Sequence, residues 1–434
     1  MISKLLNVLK NDTRLYGWNV KVTTTSSYQL FFIRQKLDMN REVIADDYDV
    51  TIYIKEENRI KTKVGSSNFK IHSTMNEEEV KAKIDEQIFL AKYTLNQGYN
   101  LPKKVNLKPV TKEKNFSGYS LKEAAFIAAD ALFEADKYHD GYINSSEIFI
   151  NFEEIRFFDS NGNIFLFTKE VGKIELVVTW ENKEEEVELY NLFEFDKLDS
   201  AFIQAKANAL LLEARDRVLA TNTPEIPNCK VLLSNEYVKE YFLHFVNKAK
   251  TDYIYAHMSD YDVSTVIQKK NNKSDLITIR LEPTIKNSTK GAPFDYDGVA
   301  LKKLIVIEKG VVKNLWGSNS KSQYLGKTVH GDYQNLIVNA GTLNTEDLVD
   351  ENYLEIVSLS DFSIDPITGD FGSEIRLAYL YSKGKEKQIV TGGSISGNVN
   401  LSVDSVRFTN ETIQHNNYVG PKKVLIDKVS VSRG

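Results

Sequence analysis

Apolar residues recur with two different periods along this 434-residue chain, and the change of period organises it. After Asn76, the residues Val80, Ile84, Ile88, Ala91 and Leu95 return every three or four positions, which lays them on one face of a helix that Gly98 closes. A second helix is predicted from Ser120, where Ser120 and Glu123 have the spacing of a capping box ahead of the run Ala124 to Ala135. A third covers about Asp199 to Leu219, with Phe202, Ala205, Ala209 and Leu212 along a face and Pro224 beyond its end. A fourth follows Ser234. Between and after these, segments such as Val50, Ile52, Ile54 and Leu304, Val306 alternate with period two, joined by turns rich in Asn, Lys and Gly. Hairpins are predicted at Glu308-Lys309-Gly310 and Ser382-Lys383-Gly384.

From about residue 274 onward the chain is almost wholly strand-like, and strands and helices do not alternate as a doubly wound sheet requires. The expected class is α+β in two domains. Residues 1–225 form an N-terminal α/β-mixed domain and residues 226–434 a C-terminal, mainly antiparallel β domain, divided within Thr221 to Asn228 by Pro224 and Pro227. No short internal repeat is present.

Composition removes several functions. With 42% hydrophobic and 26% charged residues the chain is an ordinary globular one. Its formal charge of −5 lacks the basic excess that accompanies phosphate-backbone binding, so nucleic acid is not an expected partner. The densest basic stretch, Pro102 to Asn115, carries Lys103, Lys104, Lys108, Lys112 and Lys114 but no aromatic until Phe116, and reads as a solvated linker. A single cysteine, Cys229, excludes an internal disulfide framework and Cys-rich metal sites. Lys4, Lys10, Asp12 and Arg14 break up the first eighteen residues, and nowhere do 18 apolar residues run together, so the expectation is a cytoplasmic protein without a membrane partner.

Local motifs carry little chemistry by themselves. Asp136 to Glu147 resembles a calcium loop, with Asp136, Asp140 and Glu147 as oxygen donors and Gly141 at the turn. Tyr138 stands where a further ligand is needed, and Ile148, Ile150 and Phe152 alternate like a strand, so a plain helix-to-strand turn is the better reading. None of the six histidines precedes a Glu, which removes His-Glu-x-x-His. Glu236, Glu240 and His244 do follow one another at i, i+4 spacing, and with His257 they make a fallback metal set beside the core stripe Tyr237, Val238, Tyr241, Phe242 and Phe245. Gly392-Gly393-Ser-Ile-Ser-Gly397 lacks the spacing of a phosphate loop and reads as a turn. Cys229 has no visible His partner.

A series of blocks in the second half says more. Phe294-Asp-Tyr-Asp-Gly-Val299, Leu304 to Gly310, Asn335-Leu-Ile-Val-Asn-Ala-Gly341 ahead of Thr345-Glu-Asp-Leu348, Thr368-Gly-Asp-Phe371 and Ile395-Ser-Gly-Asn398 come in an order and spacing that resembles the TldD/PmbA family. These are cytoplasmic components of a bacterial and archaeal protease, also labelled modulators of DNA gyrase. The first half fits through its early strands, the helix near Gly98 and the turn Asp159-Ser-Asn-Gly162.

In the TldD branch, His-Glu-x-x-x-His follows an apolar strand and joins a late Cys in holding the metal; the PmbA branch, also called TldE, lacks them. Here Ser234, Asn235 and Lys239 follow Val231-Leu232-Leu233 at the motif positions, and Ile413 to Tyr418 contains no cysteine. The resemblance therefore implies a PmbA-like chain with no metal or cofactor, whose partners are a metal-bearing TldD-like subunit or a second copy, and a peptide. Gly369, Asp370 and Phe371 are the candidate cleft wall, set against the plainer reading of a structural turn with Phe371 buried. Two alternatives come from other classes. One is an independent metallohydrolase using Glu236, Glu240, His244 and His257; the other is a non-enzymatic regulatory scaffold.

Overall fold

The computed structural model describes every residue except 58–60, 112–114, 270–273 and 349–350. The chain opens with helix α1 (Ile2–Asn11), which the periodicity argument does not include and which buries Leu5, Val8 and Leu9. Long strands follow because Thr, Val, Tyr and Phe, the residues that suit a pleated surface, fill β1 (Gly17–Ile33), β2 (Lys36–Glu57) and β3 (Thr62–Ile71). The first half is completed by α2 (Glu77–Ala91), β4 (Asn96–Gln97), β5 (Val110–Thr111), α3 (Leu121–Phe133), β6 (Gly141–Asp159), β7 (Ile164–Glu181), β8 (Glu186–Phe195) and α4 (Ser200–Val218). Its strands form one sheet in the order β4-β3-β2-β1-β6-β7-β5, with β8 also paired to β7. Only β5 runs parallel to its neighbour. Two helix pairs cover this sheet: Leu9 and Ile84 of α1 and α2 pack on Val20, Val50 and Ile52, while Ala128, Leu132, Ile203 and Leu211 of α3 and α4 pack on Ile148 and Ile174.

Three helices begin where the sequence places them, and two details differ. Asn76 and Ser120 each make a complete capping box with the Glu three residues on, and Asp199 accepts from the Phe202 amide. Helix α2 stops at Ala91, short of Gly98, because the Thr94 hydroxyl donates to the Ala91 carbonyl at 3.0 Å and accepts the Ser66 amide of β3 at 2.8 Å. The buried face of α4 is Ile203, Ala207, Leu210, Leu211, Ala214 and Val218; Ala205 and Ala209 are exposed. Alanines surround this helix, so the period marks a helix without fixing its phase.

The calcium-like segment is a turn from α3 into β6. Asp136 accepts the Ile143 amide at 3.0 Å, and Glu147 lies within β6 opposite Glu175. Nor is the lysine-rich segment a free linker. Its carbonyls at Pro102 and Lys103 accept from Asn161 and Asn163, and Val110–Thr111 joins the sheet, while Lys103, Lys104 and Lys108 stay exposed. Lys112 and Lys114 lie outside the described residues.

Sheet membership changes at Thr221. Strands β9 (Thr221–Asn222), β10 (Ile226–Leu233), β15 (Tyr353–Leu359), β16 (Asp370–Tyr381), β17 (Gln388–Thr391), β18 (Ser394–Asn398), β19 (Arg407–Phe408) and β22 (Val424–Val431) make a second sheet. Because β15 pairs with both β10 and β16, the circuit β15-β10-β22-β18-β16 closes on itself. Strands β11 (Ile279–Glu282), β12 (Leu304–Glu308), β13 (Val311–Val312), β14 (Asn335–Val338), β20 (Thr412–His415) and β21 (Tyr418–Pro421) form a third, in the order β13-β12-β11-β14-β21-β20. The expected hairpins are present: β12 turns into β13 at Lys309-Gly310, both at positive φ, and β16 pairs antiparallel with β17 beyond Ser382. Helix α5 (Glu236–Lys248) lies in the core these two sheets share, where Tyr241, Phe242 and Phe245 meet Ile356 and Ile426 from one and Leu336 and Val338 from the other. Helices α6 (Thr251–Tyr255), α7 (Asn319–Tyr324) and α8 (Val399–Ser402) are short. The fold is α+β and mostly β.

The halves meet along a seam. Phe294 packs against the stacked pair Phe157 and Phe165 of the first sheet, with ring centroids at 5.5 and 5.0 Å, and Tyr296 bonds to Asn68 and Thr51. The same segment brings four carboxylates together. Asp295 accepts the amides of Val299 and Asp332, Asp297 that of Asn319, Asp252 that of Ser318, and Asp332 pairs with Lys250 at 2.9 Å. Burial and the neighbouring Asp297 push Asp295 up to about 7.

Candidate functional site

Strand β10 runs parallel to β15 and antiparallel to β22, and delivers Ser234 and Asn235 to the start of α5. Asn235 sits at φ +55 and ψ −136, outside the left-handed helical basin and strained for a residue with a Cβ, where the chain turns sharply into the helix. The three residues onto which the resemblance would carry the metal motif are all engaged here as hydrogen-bond donors. Ser234 Oγ donates to the Ile356 carbonyl, Asn235 Nδ2 to the Val357 carbonyl at 3.2 Å, and Lys239 Nζ to Asn417 Oδ1 at 3.0 Å. Asn417 lies in Ile413 to Tyr418, the stretch to which the resemblance assigns the late cysteine, and the structure brings it into direct contact with Lys239. These residues do not fit a metal. A protonated lysine has no lone pair to give, and Ser and Asn are weak ligands whose donors are already engaged.

The fallback set is not assembled either. Each i, i+4 step on a helix advances roughly 40°, so the row turns from solvent into the core as it climbs. Glu236 is exposed, Glu240 half-buried and His244 buried. Burial and Lys248 push His244 down to about 4, and its Nε2 makes no hydrogen bond. His257 is exposed at φ +59 beyond α6. Among the described residues no three His, Cys, Asp or Glu side chains are placed to hold a metal ion. Cys229 is buried, and desolvation pushes its thiol up to about 11, which makes it a poor nucleophile.

Gly369, Asp370 and Phe371, the candidate cleft wall, brace the fold locally, with Asp370 exposed. Phe371 is 6% exposed, packed on Phe362 and over Gly397, where a Cβ would come within 2.6 Å of its ring. Asp370 accepts from Asn398 Nδ2 at 2.6 Å, and Asn398 also donates to the Thr368 carbonyl at 2.9 Å. Thr-Gly-Asp-Phe and Ile-Ser-Gly-Asn are therefore one unit, paired strand to strand through Asp370↔Asn398 and Phe371↔Gly397.

Around Lys239 lies a cluster that no sequence motif marked. Lys206 comes from α4, Glu194 from β8, Lys290 from the segment before Phe294, and His415 and Asn416 from the turn between β20 and β21. Glu194 pairs with Lys290 at 2.7 Å and accepts from Thr289 at 2.6 Å and Asn416 at 3.0 Å. Burial pulls Lys206 and Lys239 below their usual values, with Glu236 and Glu240 respectively opposing the shift. His415 is pushed down to about 4 by burial, then by Lys206 and Lys239. A sequence signal existed only for the ends of this cluster, through the vacant motif positions at Lys239 and in Ile413 to Tyr418. Two cavities lie elsewhere, one of about 310 Å³ beneath α1 and one of about 520 Å³ beside Cys229 and the stacked pair Tyr353 and Tyr381. Among the described residues, no helix is long and apolar enough to cross a membrane.

Residues 227–433 match the family model described as the PmbA/TldA metallopeptidase C-terminal domain. An uncharacterised protein of Methanocaldococcus jannaschii is 28% identical over 159 residues, 34% of this chain and 38% of that protein. A metalloprotease PmbA homologue of Buchnera aphidicola is 23% identical over 208 residues, 46% of each chain. The chain thus spans less than half the length of these curated relatives. The crystal structure of TldE from Thermococcus kodakarensis matches over 99% of this chain and 100% of its own, with a TM-score of 0.74 at 14% identity. A candidate modulator of DNA gyrase from Bacteroides thetaiotaomicron matches over 99% and 97%, with a TM-score of 0.76 at 16% identity. The domain match over residues 227–433 and the shared fold together support assigning the chain to the TldD/PmbA family.

Proposed function

We propose that this chain is the PmbA/TldE-like, metal-free subunit of a cytoplasmic TldD/PmbA-type peptidase, and that it helps to hold peptides for a metal-bearing partner. The observation that carries this reading is the contact between Lys239 and Asn417. It joins the helix that would carry the histidines to the turn that would carry the cysteine, with an ammonium and an amide where ligands would stand. A lysine here must lose its proton before it can bind a metal, and its neighbour already accepts a hydrogen bond from it.

The test is to purify the chain without chelator or histidine tag, measure transition metal per chain by elemental mass spectrometry, and assay peptide hydrolysis with and without a TldD-like subunit carrying His-Glu-x-x-x-His. Metal well below one per chain and hydrolysis that rises only on mixing support the proposal. Near-stoichiometric zinc in the chain alone, or no gain on mixing, overturns it.

A further inference from the structure

We propose that Lys206, Lys239 and His415 form a carboxylate-binding site at the seam between the two halves, which takes the C-terminal end of an extended peptide. This deepens the peptide-holding role just described and rests on it.

Three lysines share one neighbourhood. Lys290 is satisfied by Glu194, whose own oxygens are filled by Lys290, Thr289 and Asn416. Lys239 has one neutral acceptor, Asn417, for three N–H donors, and the nearest described partner of the Lys206 ammonium is the Phe202 ring at 5.7 Å. No described carboxylate lies within ion-pair distance of either. Both side chains are half-buried, so each has given up part of its hydration without receiving an anion in return. The His415 ring, half-buried beside them, has no hydrogen-bond partner among the described residues. Its low pKa keeps it neutral near pH 7, so it offers one further N–H. Such leftover donors in a sheltered place mark a recognition site more often than a structural one.

Two observations select the ligand. Glu236 and Glu240 flank the lysines within electrostatic range but without touching them, which suits a singly charged carboxylate and disfavours a phosphate dianion. His415 also ends β20, the outermost strand of the third sheet. An extended peptide that adds to the outer edge of β20 gains main-chain hydrogen bonds whatever its side chains are, and the edge leads to the lysines.

The experiment is calorimetric titration of the full chain with an unstructured pentapeptide, once as the free acid and once as its C-terminal amide. The free acid should bind about tenfold more tightly than the amide. Lys206→Met with Lys239→Met together should remove that preference while the thermal unfolding curve shows a folded protein. Should the double variant fail to fold, Lys206→Met alone, which removes no described hydrogen bond, should reduce the preference about threefold. Equal affinity for acid and amide, or a preference that survives the substitutions, overturns this inference and leaves peptide holding intact. Absence of binding by either peptide overturns both.

Discussion

Two patches of the same seam, one acidic and one basic, treat their charges in opposite ways. At the acidic patch, Asp252, Asp295, Asp297 and Asp332 crowd together, yet each accepts a backbone amide or pairs with Lys250. Phe294, packed against Phe157 and Phe165, and Tyr296, on Asn68, fasten it to the first sheet. At the basic patch, Lys290 is paired and Lys206 and Lys239 have no carboxylate partner among the described residues. A fold that gives each of four carboxylates a donor could have paired two more lysines. The difference separates a joint from a site: every carboxylate of the acidic patch has a donor within the fold, and the basic patch is short of an anion.

The largest effect should come from breaking the joint. Phe294→Ala removes a ring packed against two others and leaves a cavity, so unfolding stability should fall by about 4 kcal/mol in a urea titration. A loss below about 1 kcal/mol would mean that the seam closes without this anchor. Next is Lys290→Met, which leaves a half-buried Glu194 carboxylate with only its hydroxyl and amide donors. Stability at pH 7 should drop by about 2 kcal/mol, and the Glu194→Gln, Lys290→Met pair should recover part of it. No recovery would show that packing, not charge pairing, is at stake.

The strings that carry the resemblance were legible in the sequence, and the seam and the site largely were not. Phe294-Asp-Tyr-Asp-Gly-Val299, Thr-Gly-Asp-Phe and Ile-Ser-Gly-Asn are contiguous strings whose residues satisfy one another nearby, as Asp295 does with the Val299 amide and Phe371 with the space above Gly397. Helix starts were readable for the same reason, since Asn76 and Ser120 are capped within three residues. The phase of α4 and the existence of α1 were not, because alanine does not report which side is buried and α1 is only ten residues long. The basic patch gathers single residues spread over more than two hundred positions of sequence, and Lys206 and Lys290 carry no local pattern. Only Lys239 and Asn417 were hinted at, through what the motif lacks. The row Glu236, Glu240, His244 misled because regular spacing on a helix still drifts around it.

The two patches should also differ in how they respond to pH. Asp295 has a folded-state pKa raised from 3.8 to about 7, so the folded chain binds the proton more tightly and stability should fall as pH rises from about 4 to about 7. His415 and His244 are lowered from 6.5 to about 4, so the unfolded chain binds the proton more tightly and stability should rise as pH climbs between those values. The wild-type profile sums opposing slopes. Asp297→Asn retains an acceptor for the Asn319 amide and removes the charge beside Asp295, which should flatten the falling component and raise stability at pH 8 by about 1 kcal/mol. His415→Gln should flatten part of the rising component, with His244 supplying the rest. Parallel shifts at all pH values in either variant would remove the assignment.

The smallest effect is the most discriminating. If Lys206 is half-buried without an anion, its charge costs stability in the absence of ligand, and a side chain of similar length without charge should do better. Lys206→Met should therefore stabilise the chain at pH 7 by about 0.5 kcal/mol, opposite in sign to Lys290→Met, although both remove a lysine from one neighbourhood. Differential scanning calorimetry at low and high salt tests this, since screening should shrink the gain. A loss of stability for Lys206→Met would mean that the ammonium is already satisfied within the fold, and the contrast between joint and site would then rest on Lys239 alone.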